Sequence, residues 1–87
     1  MVICLSHLGY DYPESSRISD RKLAQQTSNI DIILGGHTHT FLEKPTIEKN
    51  KKGKSVLINQ VGYAGLYLGR IEIDVENGVM SKSLEVK

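Results

Sequence analysis

Two short apolar runs, Val2-Ile3-Cys4-Leu5 and Ile30-Asp31-Ile32-Ile33-Leu34, stand on either side of a single helix-forming stretch. That order leaves few folds open. Continuous runs with β-branched members suit strands buried on both faces, the habit of parallel sheets. Between them, Ser19 reads as an N-cap, Asp20 places a negative charge in the first turn, and Leu23 and Ala24 begin an apolar face that carries the helix to about Thr27 or Ser28. Strand, loop, helix and strand make a βαβ unit, whose crossover is right-handed and whose strands are parallel.

The second half changes period. "KPTIEKN" and "KSVLINQV" flank a lysine-rich turn. Farther on, Ile71, Ile73 and Val75 alternate with Glu72, Asp74 and Glu76, the signature of a half-buried antiparallel strand. Asn77-Gly78 is a type I′ turn signal that predicts a hairpin returning through Val79 to Val86. No repeat and no internal linker interrupts the 87 residues, so the reading is one domain of the α/β (α+β) class, a βαβ unit followed by antiparallel strands and a C-terminal hairpin.

Charge and hydropathy remove several functions. Eleven Lys and Arg balance ten Asp and Glu for a net charge of +1, which excludes a nucleic-acid binder by charge. The cluster Lys49-Asn50-Lys51-Lys52-Gly53-Lys54 has no interleaved aromatics and reads as a solvated turn. No apolar stretch approaches the roughly twenty residues that span a bilayer. The opening "MVICLSHLGY" has neither a basic start nor a cleavage site of the signal-peptide kind. Cys4, the single cysteine, has no internal partner and reads as a small buried hydrophobe.

The chemistry lies in the histidines. In parallel α/β sheets ligands collect beyond the carboxyl ends of the strands. His7 follows the first run by two residues and His37 follows the second by three, so both emerge at the same edge and converge if the strands are neighbours, about 5 Å apart. His39 reaches a second point nearby, and Gly9, Gly35 and Gly36 permit close approach of the backbone. On spacing alone, metal ligation and an ordinary hydrogen-bonded loop role are equally compatible with this pattern. Covalent catalysis through Ser6 and His7 is not: neighbours on a strand point to opposite faces, and no G-x-S-x-G elbow is present.

"SHLGY" (6–10) and "GGHTHT" (35–40), with "SD", "LA" and "NIDIIL" between them and "NQVGYAGLYLGRIEIDV" after them, resemble the C-terminal part of the calcineurin-like metallophosphoesterase domain of the 5′-nucleotidase and 2′,3′-cyclic phosphodiesterase family. The resemblance covers nearly the whole chain. It implies that residues 1–87 form half of a four-layer α/β/β/α sandwich with a dinuclear centre of divalent ions such as zinc or manganese. His7 and His37 would bind one ion and His39 the other, and the reaction would be hydrolysis of phosphate esters, nucleotides in particular, by a metal-held hydroxide. The family's remaining motifs, Asp-x-His, Gly-Asp and Gly-Asn-His, are missing from these residues. The expectation is therefore a partial catalytic domain with weak or no metal binding and no useful turnover by itself. Exposed sheet should be covered by self-association or by the missing N-terminal half. Two other readings stay open: a non-catalytic interaction module, and a structural zinc site shared by His37 and His39 of two copies. The family also implies a periplasmic or extracellular location and a separate domain that grips the nucleotide base.

Overall fold

In a computed structural model of the chain, residues 1–74 are described in full up to Ile73, and residues 78–85 by backbone alone. The elements are β1 (Ile3–Leu5), α1 (Asp20–Gln26), β2 (Ile32–Leu34), β3 (Thr46–Lys49), β4 (Ser55–Asn59), β5 (Tyr67–Asp74) and β6 (Gly78–Glu85). β1, β2, β4 and β3 lie side by side in that order, while β5 and β6 pair only with each other. The class is mixed α/β, as the sequence predicts. Of the Asn77-Gly78 pair, Asn77 falls outside the described residues, while Gly78 opens β6 opposite Asp74.

The βαβ unit forms as its local signals require. Ser19 caps α1 by accepting from the Lys22 amide at 3.2 Å, and Thr27 ends the helix. β1 and β2 pair in parallel with Cys4 opposite Ile33, and β2 pairs in parallel with β4 with Ile33 opposite Ile58. Alternation then puts Cys4, Ile33 and Ile58 in one row across the sheet. α1 lays Ala24 and Leu23 over that row, and Val56 completes a small core. The lysine-rich turn joins β3 to β4 in an antiparallel pair. Its polar atoms close on themselves: Asn50 Oδ1 accepts from the amides of Lys52 and Lys54 at 2.9 and 3.0 Å.

β1 corrects one expectation. It is not buried on both faces, since Leu5 is 81% exposed and Ile3 49%. It lies at the edge of the sheet, and only Cys4 turns toward the helix layer. Cys4 itself is partly rather than fully buried.

Candidate functional site

Because β1, β2 and β4 run parallel, their carboxyl ends deliver three loops to one rim. His7 leaves β1, the segment 35–40 leaves β2, and Gln60 leaves β4. The rings of His7 and His37 meet there edge to face, with centroids 5.0 Å apart and planes at 67°. Gly36 eases the approach: a Cβ on it would sit 3.3 Å from His7 Nδ1, and the ring would have to shift by a few tenths of an ångström. His39 goes elsewhere, stacking on Tyr63 at 5.0 Å and 21°. All three histidines are exposed.

The backbone that aims these rings is unusual. His37 and His39 have φ of 72° and 54°, a left-handed conformation uncommon outside glycine, although histidine is one of the residues enriched there. The Thr38 amide donates to the Gly36 carbonyl at 2.9 Å, which closes a γ-turn of the rare positive-φ kind around His37. Such a turn reverses the chain within three residues of β2. It also sends alternate imidazoles to different neighbours.

Beneath the rim lies a buried polar layer. Ser6 Oγ donates to Asp20 Oδ1 at 2.6 Å and accepts from the Leu8 amide at 3.2 Å, so a fully buried aspartate at the start of α1 pins the loop that carries His7. The Asp20 amide in turn donates to the Gly9 carbonyl at 2.8 Å. Among the described residues Asp20 Oδ2 has no hydrogen-bond partner, and it lies directly under Gly35. Beside it is the Gln60 side chain, 2% exposed, in the wall of a cavity of about 340 Å³ between β2, β4 and β5. The other acids stand apart. Asp31 accepts from the Val2 amide at 2.7 Å at the opposite end of the strands, and Asp11 pairs with Arg21 at 3.2 Å.

Burial raises the Asp20 carboxyl above its ordinary value near 3.8, and the Ser6 hydrogen bond only partly offsets this. In the interval between 3.8 and the higher folded value, the native chain holds more protons than the unfolded chain. Stability therefore falls as pH rises through that interval. Urea denaturation at stepped pH from about 3.5 upward should show this slope, and Asp20→Asn should flatten it; an unchanged slope in the variant would assign the pH dependence to other groups.

The sequence pattern identified the two histidines that meet. It missed Asp20 as a support, Gln60 as a neighbour and Tyr63 as the partner of His39. Gln60 had a usable signal, because it follows the apolar run of β4 just as the histidines follow theirs, but only once β4 is placed parallel to β2.

The geometry has counterparts. The trifunctional nucleotide phosphoesterase protein YfkN of Bacillus subtilis is 32% identical over 80 residues, covering 91% of this chain and 5% of that protein. The 5′-nucleotidase of Homo sapiens is 30% identical over 95 residues, covering 92% of this chain and 15% of its own length. The crystal structure of the 5′-nucleotidase precursor from Thermus thermophilus superposes with a TM-score of 0.65 at 29% identity, over 76% of this chain and 16% of that one. The chain belongs to the 5′-nucleotidase family. No family model matches it. It spans less than a fifth of each of these relatives, and its α/β fold is that of the corresponding part of a 5′-nucleotidase.

Proposed function

We propose that this chain is the C-terminal part of a calcineurin-like metallophosphoesterase domain, half of its four-layer sandwich, in which His7 and His37 hold one divalent ion and His39 holds a second. The observation that carries the reading is the meeting of His7 and His37 at the carboxyl ends of adjacent parallel strands. An imidazole nitrogen binds zinc at about 2.0 Å, which puts the ring centre about 3 Å from the ion; two rings on one ion at ordinary coordination angles then have centres about 5 Å apart. The observed 5.0 Å fits that pair. Among the described residues no third histidine, cysteine, aspartate or glutamate joins them, so the remaining ligands would come from the half of the domain that carries the family's other motifs. The exposed edge strand β1, with Leu5 and Ile3 uncovered, is where that half, or a second copy, would add.

Zinc or manganese held by His7, His37 and His39 would supply Lewis acidity and an activated water for hydrolysis of a phosphate ester. The chain's own contribution is placement. Gly36 admits His7 to the pair, the γ-turn aims His37, and the Ser6–Asp20 bond fixes the loop between β1 and the helix. Nucleotides are the substrate class, and the location is periplasmic or extracellular, both as expected of the family.

Three measurements test the reading. Added to the 87-residue chain, Mn²⁺ should broaden the ring resonances of His7, His37 and His39 ahead of resonances remote from the rim; rings untouched at millimolar metal would overturn the assignment. A chimera in which this chain replaces the matching segment of the Thermus thermophilus protein should hydrolyse a nucleoside monophosphate with Mn²⁺. His37→Ala should cut that rate at least about 100-fold, at or beyond the 10–100-fold typical of a residue that only supports a ligand. The 87 residues alone should turn over an aryl phosphate no faster than buffer.

A further inference from the structure

We infer that Gln60 is a positioning residue for this site, the brace that holds the left-handed turn on which His37 and His39 are aimed; the inference rests on the metal-site reading above. The turn has an energetic problem of its own. His37 and His39 both occupy a sparsely populated φ region, and such conformations persist only where the surroundings over-determine them. Exposed rings cannot do that, so the restraint must come from the backbone and from whatever grips it.

Gln60 grips it at three points. Its Oε1 accepts from the Thr40 amide at 2.7 Å and from Thr38 Oγ1 at 3.3 Å, on either side of His39. Its backbone carbonyl accepts from the Leu42 amide at 2.9 Å. Thr38 Oγ1 is also within 2.8 Å of Thr40 Oγ1 and accepts from the Tyr10 amide at 3.1 Å, which ties the turn to the loop after β1. At 2% exposure the amide is shielded from water that would compete for these bonds. It is placed by β4, whose Asn59 carbonyl accepts from the Gly35 amide at 2.9 Å, so its distance from the turn is set by strand pairing. A side chain of this length ending in a fixed acceptor defines where Thr40 must lie, and thus the path from Gly36 to Thr40 through both histidines. Besides the Tyr10–Thr38 bond, the loop carrying His7 has a separate anchor in Ser6 and Asp20.

The separation gives a test with a structural and a metal readout. A positive φ brings the amide proton and Hα together, so His37 and His39 should each show a strong intraresidue amide–Hα NOE in the 87-residue chain. Gln60→Met, which keeps length and removes the acceptor, should weaken those NOEs and lower the apparent Mn²⁺ affinity read at the His37 ring about 10-fold, the low end of what loss of a supporting hydrogen bond costs a metal site. Gln60→Glu, which keeps both reach and acceptor, should restore both readouts. Unchanged NOEs and affinity in Gln60→Met would overturn the inference. Where Gln60→Met loses the native methyl shifts of Ile33 and Ile58, Thr38→Val takes its place, removing one of the two side-chain contacts; it should weaken the same NOEs to a smaller degree, and no change there overturns the inference equally. If Gln60→Met abolishes the NOEs but the wild-type rings never respond to Mn²⁺, the brace stands and the metal reading it rests on falls.

Discussion

Ile58→Ala should destabilise the chain by about 2–5 kcal/mol, the range for truncating a buried isoleucine. Ile58 is fully buried at the centre of the sheet, on β4, between Ile33 of β2 and Thr46 of β3. Among the described residues the core on the helix side has four fully buried members, Ala24, Ile33, Val56 and Ile58, so removing one leaves a cavity that few neighbours can collapse to fill. A domain with about 5–15 kcal/mol in total would lose a large fraction of its stability. Ile47→Ala is the matched control, because Ile47 lies on β3 and is 52% exposed; its cost should stay below about 1 kcal/mol on the area it covers. Urea titration followed by circular dichroism measures both. Equal costs at the two positions would mean that the sheet is not packed around β4 as described.

Gly35→Ala should be nearly as damaging, for a different reason. The new Cβ would lie 2.1 Å from Asp20 Oδ2, 3.2 Å from Asp20 Cγ and 3.3 Å from Gln60 Nε2. Asp20 cannot swing aside, since it is fully buried and its other oxygen is held by Ser6 at 2.6 Å. Overpacking of this kind costs about 1–3 kcal/mol. The displacement would pass along two routes: through Ser6 to the His7 loop, and through Gln60 to the turn of His37 and His39. Asp20→Ala in the Gly35→Ala background should recover part of the loss, a non-additivity of about 0.5–3 kcal/mol for groups in direct contact. Simple additivity in that double-mutant cycle would show that the two residues do not touch. The same pair of variants, observed at the histidine ring resonances, reports whether the clash reaches the site.

Much of the framework was legible because it depends on local signals. The run at 32–34, the cap at Ser19, the antiparallel pair around the lysine turn and the strand from Tyr67 each follow from periodicity and turn chemistry within a few residues. The meeting of His7 and His37 was legible too, because parallel strands of a βαβ unit end on the same side whatever the rest of the chain does. β1 shows the limit of that reasoning. An apolar run reports that a segment can be buried, while its place at the sheet edge, which leaves Leu5 in solvent, depends on which strands flank it.

By itself, then, the sequence determined the elements, their order and the edge at which the imidazoles gather, since these are properties of neighbouring residues and of chain chirality. Only the tertiary structure decided that β4 inserts beside β2, and with it that Asp20 and Gln60 share the space under Gly35 and that His39 turns to Tyr63. Those contacts join residues up to 40 positions apart. Strand pairing and exclusion of water from a shared interior set them, and neither leaves a mark on local periodicity.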